Sequence, residues 1–335
     1  MKILFNGFQH GHVDLLYRQA LKIPELEIAA CLEEDKKAAS AASGRLGIPI
    51  AQDNYDAWLS RDIDIVVIGR KYGERGQAVI RALTAGKHVI SDKPLCTRME
   101  ELDEIERLVT KKQLKLGCML DLRDLPQVNR AKELLKNKCL GEVRNISFSG
   151  QHYIDYSNRP SWYFEKDMHG GTINDLAIHG IDLVRELTAL ELEKVDGVRT
   201  WNAYAVRNPE FKDSAVFLAR LSNGAELLAD VSYSAPAQVF SMPTYWNFKF
   251  WCERGLLTFQ YTDSRVTVFQ EGVTEPQILE GIPPKKGYFE KFMEDIREHS
   301  NAGTRSVIAS AQTALRIQKE ADCADYARQV TGPLQ

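Results

Sequence analysis

The stretch KILFNGFQHGHVDLLYRQALKIPELEIAACLEED, residues 2–35, decides the fold. Residues 2–6 are a short apolar strand that stops at Gly7. Residues 13–22 read as a helix and 26–32 as a second strand. The same alternation continues outward. Residues 36–47 form a helix ending at Gly47, a good C-cap position. The third strand, IDIVVIG (63–69), is rich in β-branched residues and apolar on both faces, which suits a parallel sheet covered by helices. A helix over 76–86, a strand over 87–91, a helix over 100–112 and a strand over 113–120 follow. Strand–helix alternation with short links predicts right-handed crossovers and an α/β, doubly wound parallel sheet.

In such a sheet a dinucleotide binds at the first turn. That turn reads Gly7-Phe8-Gln9-His10-Gly11-His12. A G-x-G-x-x-G loop needs glycine at 9 and 12, where Gln9 and His12 stand, so the fingerprint is degenerate. A side chain at position 9 would crowd a pyrophosphate if the loop kept its usual path. Glu33, at the end of the second strand, is placed to accept hydrogen bonds from ribose hydroxyls and so to favour NAD over NADP, although Lys36 and Lys37 follow at once. Asp92-Lys93-Pro94 ends a central strand, where open sheets place ligands.

From Arg123 the pattern changes, which divides the chain into residues 1–122 and 123–335. A helix over 126–141 and a long strand over 142–154 come first. His169–Leu187, HGGTINDLAIHGIDLVREL, has apolar residues at helical spacing, with Asp175, His179 and Asp182 at i, i+4 and i+7 on a second face. Two acids bracketing a histidine suit proton transfer. Strands over 195–206, 214–221, 225–234, 244–253, 255–261 and 265–271 follow, then two closing helices over 288–303 and 306–327. The strands alternate, so one face packs on helices. The other is expected to carry Phe217, Phe248 and Phe250, which water would not tolerate.

The length of 335 residues suits two domains. A hydrophobic share of 44%, a charged share of 27% and a net charge of −3 describe an ordinary soluble balance, without the basic excess of a nucleic-acid binder. No apolar run is long enough to span a bilayer. The six cysteines form no CxxC pair and read as reduced thiols in a cytoplasmic protein.

Two separated motifs, in order and at the right distance, resemble those of the Gfo/Idh/MocA oxidoreductases, the family of glucose–fructose oxidoreductase and inositol 2-dehydrogenase. AGKHVISDKPL (85–95) resembles the stretch ending in Glu-Lys-Pro, with Asp92 for the usual Glu. GGTINDLAIHGIDL (170–183) resembles the Gly-Gly…Asp-x-x-x-His…Asp motif. LGEVRNIS (140–147) and RPSWYF (159–164) match flanking segments. The resemblance implies a Rossmann domain followed by an α/β domain with a large, mostly antiparallel open sheet, often paired across a dimer. It implies NAD, with NADP as the alternative. It gives Lys93 and His179 catalytic roles, with Asp175 assisting and Asp182 more often structural. The family's Thr-Pro-Asn-x-x-His pattern is replaced here by residues 69–76, in which Arg70 and Lys71 are expected to supply charge to the phosphates. No metal is expected. Readings of Asp175 and His179, with His152 or His169, as zinc ligands rank well below catalysis.

The polar, aromatic segment between the long strand and the motif offers His152, Tyr153, Arg159, Trp162 and Tyr163, beside Asp175, as a substrate surface for a polyol. The leading expectation is hydride transfer between a nicotinamide cofactor and a secondary alcohol of a sugar, inositol or related polyol. Redox-neutral use of bound NAD⁺ in glycosidase- or epimerase-type chemistry, and a non-catalytic dinucleotide-binding regulator, are the alternatives. A homodimer or homotetramer through the second sheet is expected.

Overall fold

A computed structural model of the chain describes residues 1–243 and 245–331. Thr244, the first residue of the strand expected over 244–253, and residues 332–335 lie outside the described residues. The chain forms two compact units. The first comprises Met1–Met119, Pro160–Gly170 and Lys286–Gln312, and the second Leu120–Arg159, Gly171–Lys285 and Thr313–Gln335.

The first unit is built on strands β1 (Lys2–Asn6), β2 (Glu27–Leu32), β3 (Ile65–Ile68), β4 (His88–Ser91) and β5 (Leu116–Cys118), in the order β2-β1-β3-β4-β5, all parallel. The crossovers are α1 (His12–Ala20), α2 (Lys36–Leu46), the short α3 (Tyr55–Leu59), α4 (Tyr72–Thr84) and α5 (Met99–Lys112). Every residue of β3 is buried, as its unbroken apolar run requires. Asp35 caps α2 by accepting from the Lys37 and Ala38 N–H groups, and Gly47 closes it in the left-handed region. Ile3, Phe5, Val13, Leu16, Ile65 and Val67 are core residues, joined by Phe289 and Met293 from a late segment of the chain.

The second unit holds an eight-stranded sheet. Its strands are β6 (Val143–Gln151), β7 (Leu192–Trp201), β8 (Ser214–Leu221), β9 (Glu226–Ser232), β10 (Trp246–Cys252), β11 (Gly255–Gln260), β12 (Arg265–Gln270) and β13 (Gln277–Glu280). The order is β13-β12-β11-β10-β6-β9-β8-β7, and only the β6–β9 pair is parallel. This is the mostly antiparallel open sheet that the resemblance implied. Helices α6 (Pro126–Lys136) and α7 (Ile178–Thr188) pack on one face. Of the closing helices, α8 (Tyr288–Arg297) belongs to the first unit, and α9 (Ala302–Thr331) contributes to the first through Gln312 and to the second from Thr313.

One sequence expectation is corrected here. Phe217, Phe248 and Phe250 lie on the covered face and are 2%, 1% and 0% exposed. Phe248, Phe250, Phe148 and Phe259 form a stacked layer, which Phe217 meets edge-on at Phe148. The outward face carries Leu218, Leu228, Trp251, Phe269 and Ile278 instead, all exposed. Alternation fixed the period, but both sets are apolar, so hydrophobicity alone could not say which faces in.

Candidate functional site

In the first unit the turn after β1 is tightly built. Gly7 has φ +94°, and a Cβ there would come within 2.5 Å of the Arg70 backbone nitrogen. Only glycine fits this approach. Gln9 N–H donates to the Gly69 carbonyl at 3.1 Å. The Gln9 side chain does not crowd the loop, because it donates to Glu33 Oε1 at 2.9 Å. Glu33 is 5% exposed and also accepts from the Phe8 N–H at 2.7 Å and the Asp35 N–H at 2.9 Å. The acid predicted to meet a ribose thus also braces the turn. At the head of α1, the N–H groups of His10, Gly11 and His12 have no protein partner among the described residues. A Cβ on Gly11 would meet nothing within 4 Å. Open space lined by unpartnered N–H groups at a helix start fits the pyrophosphate of a dinucleotide.

Arg70 makes a two-pronged pair with Glu34 at 2.9 Å and also reaches Glu74 at 3.2 Å. Lys71 lies 3.8 Å from Glu74. The two cations expected to serve phosphates are therefore both beside carboxylates, Arg70 beside Glu34 and Glu74 and Lys71 beside Glu74.

At the end of β4, Asp92 is fully buried and Lys93 is 4% exposed. Arg75, on α4 and itself fully buried, donates to the Lys93 carbonyl, to Pro94 O at 2.9 Å, to Arg70 O at 2.9 Å and to Asp92 Oδ2 at 3.2 Å. It clamps the turn that presents Lys93. Asp92 also accepts from the Lys93 N–H at 2.6 Å, from His10 Nδ1 at 2.9 Å and from His12 Nδ1 at 2.9 Å. Burial disfavours the Asp92 carboxylate, but His10, Arg75 and His12 together hold its pKa well below the ordinary range. Burial pushes His10 down to about 4. Lys93 Nζ stands 5.8 Å from the Tyr72 ring, and Tyr72 OH lies 2.5 Å from Tyr163 OH. Trp162 and His169 also pack against Tyr72.

In the second unit the motif stretch is helical from just after its two glycines, but its first turn is widened. Gly170 and Gly171 are left-handed at φ +78° and +93°. A Cβ on Gly171 would lie 2.1 Å from the Gln318 side chain, whose Oε1 accepts from the Ile173 N–H at 2.9 Å. Residues Ile173–Ala177 are wound as a π-helical turn before α7 begins. Such widened turns recur at functional sites, and this one carries Asp175. Asp175, His179 and Asp182 are 1%, 5% and 1% exposed. Tyr233 OH donates to Asp175 Oδ2. His179 packs edge-on against Trp246 at 5.6 Å, with its Nδ1 4.0 Å from Asp121 Oδ1. Asp182 forms a two-pronged pair with Arg123.

The expected substrate segment is divided between the units. His152 joins Tyr245, with Tyr245 OH 3.3 Å from its Nε2, and lies 5.6 Å from the Trp246 ring. Tyr153 bridges to Ser234. Arg159 donates to the carbonyls of Ile154 and Tyr153 and lies over the Tyr233 ring. Trp162 and Tyr163 belong to the first unit with Tyr72. Sequence reading missed Tyr233, Asp121 and Trp246, and took Arg75 and Tyr72 only as part of the 69–76 stretch, without roles of their own. Arg75 carried a signal, being an arginine on the apolar side of a helix, but the others gave none.

Residues 7–119 match an oxidoreductase family with an NAD-binding Rossmann fold, and residues 128–258 match the GFO/IDH/MocA C-terminal domain. The levoglucosan dehydrogenase of Pseudarthrobacter phenanthrenivorans is 30% identical over 203 residues, 58% of this chain and 51% of that protein. The chain thus spans about half the length of the curated relatives it first matches. A putative oxidoreductase from Thermotoga maritima shares the fold at TM-score 0.83 and 22% identity, over 96% of this chain and 98% of that one. A levoglucosan dehydrogenase solved with NADH does so at TM-score 0.80 and 19% identity, over 96% and 97%. These matches bear out the resemblance read from the two sequence motifs: the chain belongs to the Gfo/Idh/MocA family of oxidoreductases with an NAD-binding Rossmann fold.

Proposed function

We propose that the protein is an NAD(P)-dependent oxidoreductase acting on a secondary alcohol of a sugar, inositol or related polyol. The observation that carries this reading is the carboxyl end of the parallel sheet. There a close-packed glycine turn, whose N–H groups at the head of α1 have no partner among the described residues, and the Arg75-clamped Lys93 turn stand in one unit of an NAD-binding fold. When bound, the nicotinamide supplies the hydride acceptor. His179 takes the hydroxyl proton, and Asp175, held by Tyr233, supports the imidazolium electrostatically. Lys93 stabilises negative charge developing on the alcohol oxygen. His152, Tyr153, Arg159, Trp162 and Tyr163 supply the polar and aromatic surface for the hydroxyls. The test is a panel of inositols, aldoses and sugar acids with NAD⁺. Reduction by one of them supports the reading, and inertness of the whole panel, with no dinucleotide bound, counts against it.

NAD is the proposed cofactor, because the Glu33 carboxylate after β2 repels a 2′-phosphate. Calorimetry is expected to give tighter binding of NAD⁺ than of NADP⁺, and the reverse order would assign selection to Lys36 and Lys37.

We also propose a homodimer or larger homo-oligomer through the outward face of the second sheet. Leu218 pairs with Leu228, and Leu256 stands between Trp251 and Phe269 in register, so exposed apolar side chains line adjacent strands. Light scattering at micromolar concentration is expected to give at least twice the chain mass, and Trp251→Glu with Leu228→Glu to give the monomer. A native monomer would refute the assembly.

A further inference from the structure

His10 and His12 converge on one buried carboxylate. Their Nδ1 atoms lie 2.9 Å from opposite oxygens of Asp92, and the two rings stand edge to face with centroids 4.4 Å apart. The Lys93 N–H and Arg75 fill further acceptor positions of the same carboxylate. An ionised carboxylate only accepts, so both Nδ1 atoms must donate. A neutral imidazole that donates from Nδ1 keeps a lone pair at Nε2. The two side chains are 21% and 25% exposed, and the edge turned away from Asp92 is the one that bears Nε2.

These lone pairs stand at the turn whose unpartnered N–H groups suit a phosphate. Two acceptor atoms beside phosphate oxygens repel them, unless a proton is placed between. We propose that the His10–His12 pair takes up a proton when the pyrophosphate of the dinucleotide binds, so that an imidazolium anchored on Asp92 clamps the phosphates. This rests on the cofactor reading above. The groups facing the rings are Asp92 and Lys93 at the end of β4, Arg75 and Tyr72 on α4, and each other. Glu33 braces the far side of the turn through Phe8 and Gln9. At His10, burial, His12 and Lys93 oppose an added proton whereas Asp92 favours it, so the ligand's own charge must tip the balance. The ligand atoms of His10, His12 and Asp92 also lie within 4.8 Å of one another, close enough for a cation. Arg75 and Lys93 already place two positive charges there, and that selects an anion.

Titrating NAD⁺ calorimetrically in HEPES and in Tris reads the protons exchanged. At least about half a proton is expected to be taken up per dinucleotide near neutral pH, with affinity weakening about threefold per pH unit as pH rises. The His10→Gln/His12→Gln protein is expected to lose both effects. Binding of NAD⁺ with a heat independent of buffer in the native protein would overturn the proposal. Failure of both NAD⁺ and NADP⁺ to bind would remove the cofactor reading itself, a different and recognisable result. Long-range ¹H–¹⁵N spectra of the free native protein test the tautomers without ligand: Nδ1–H forms are expected for both histidines, and Nε2–H forms for both would overturn the assignment. Stoichiometric Co²⁺ binding with ligand-field bands, abolished in the double variant, would also overturn it in favour of a cation site.

Discussion

Replacing His179 with alanine is expected to lower kcat by at least roughly a hundredfold, the scale of one acid–base group, while leaving NAD⁺ affinity nearly unchanged. The residue belongs to the second unit, whereas the glycine turn and Glu33 belong to the first. Lys93→Met is expected to cause a loss of similar size, because it removes charge stabilisation from the same step. The double variant should fall short of the product of the two, since both residues serve one transition state. Asp175→Asn is expected to cost less, and Tyr233→Phe to resemble it, because Tyr233 donates to Asp175 and so reaches the imidazole only through that carboxylate. Steady-state kinetics on the reactive polyol, with a thermal melt of each variant, checks the series. Near-native activity of a folded His179→Ala protein would reduce the helix to a packed face.

The second large effect is on stability. Arg75→Met is expected to destabilise the protein by roughly 3–5 kcal/mol, because it leaves the fully buried Asp92 without its guanidinium and three carbonyls without a donor. Arg75→Lys should recover only part of this, since an ammonium has no planar fork to reach Pro94, Arg70 and Asp92 together. Urea unfolding followed by circular dichroism measures it. A loss below about 1 kcal/mol for the methionine variant would mean that the clamp contributes little beyond a surface-type pair.

Local pattern carried the parallel sheet, because each βα unit is short and its apolar runs are continuous. It also carried seven of the second sheet's eight strands, with β8 falling on the residues read for it, but not the short edge strand β13. It could not show the partners that distant parts of the chain bring to a residue. His10 and His12 read as members of the dinucleotide turn, and nothing local showed that Asp92, about eighty positions on, would be brought to them. Glu33 read as a ribose acceptor, and nothing local said that Phe8, Gln9 and Asp35 would also bind it. Arg70 and Lys71 read as phosphate ligands, but Glu34 and Glu74 are their neighbours in space. The motif helix was read as unbroken after Gly170-Gly171, yet its first turn, Ile173–Ala177, is widened before α7. That turn changes how residues before it face relative to those after, which a spacing of four cannot reveal.

The most direct test is a single turnover with protein in excess over NAD⁺, following reduced-nicotinamide absorbance across inositols, aldoses and sugar acids. Reduced nicotinamide is predicted to appear with at least one polyol, either persisting or rising and falling if the net reaction is redox-neutral, and to be lost in His179→Ala. Absence of any absorbance change across the panel with NAD⁺ bound, or an unchanged signal in the His179→Ala protein, would contradict the account.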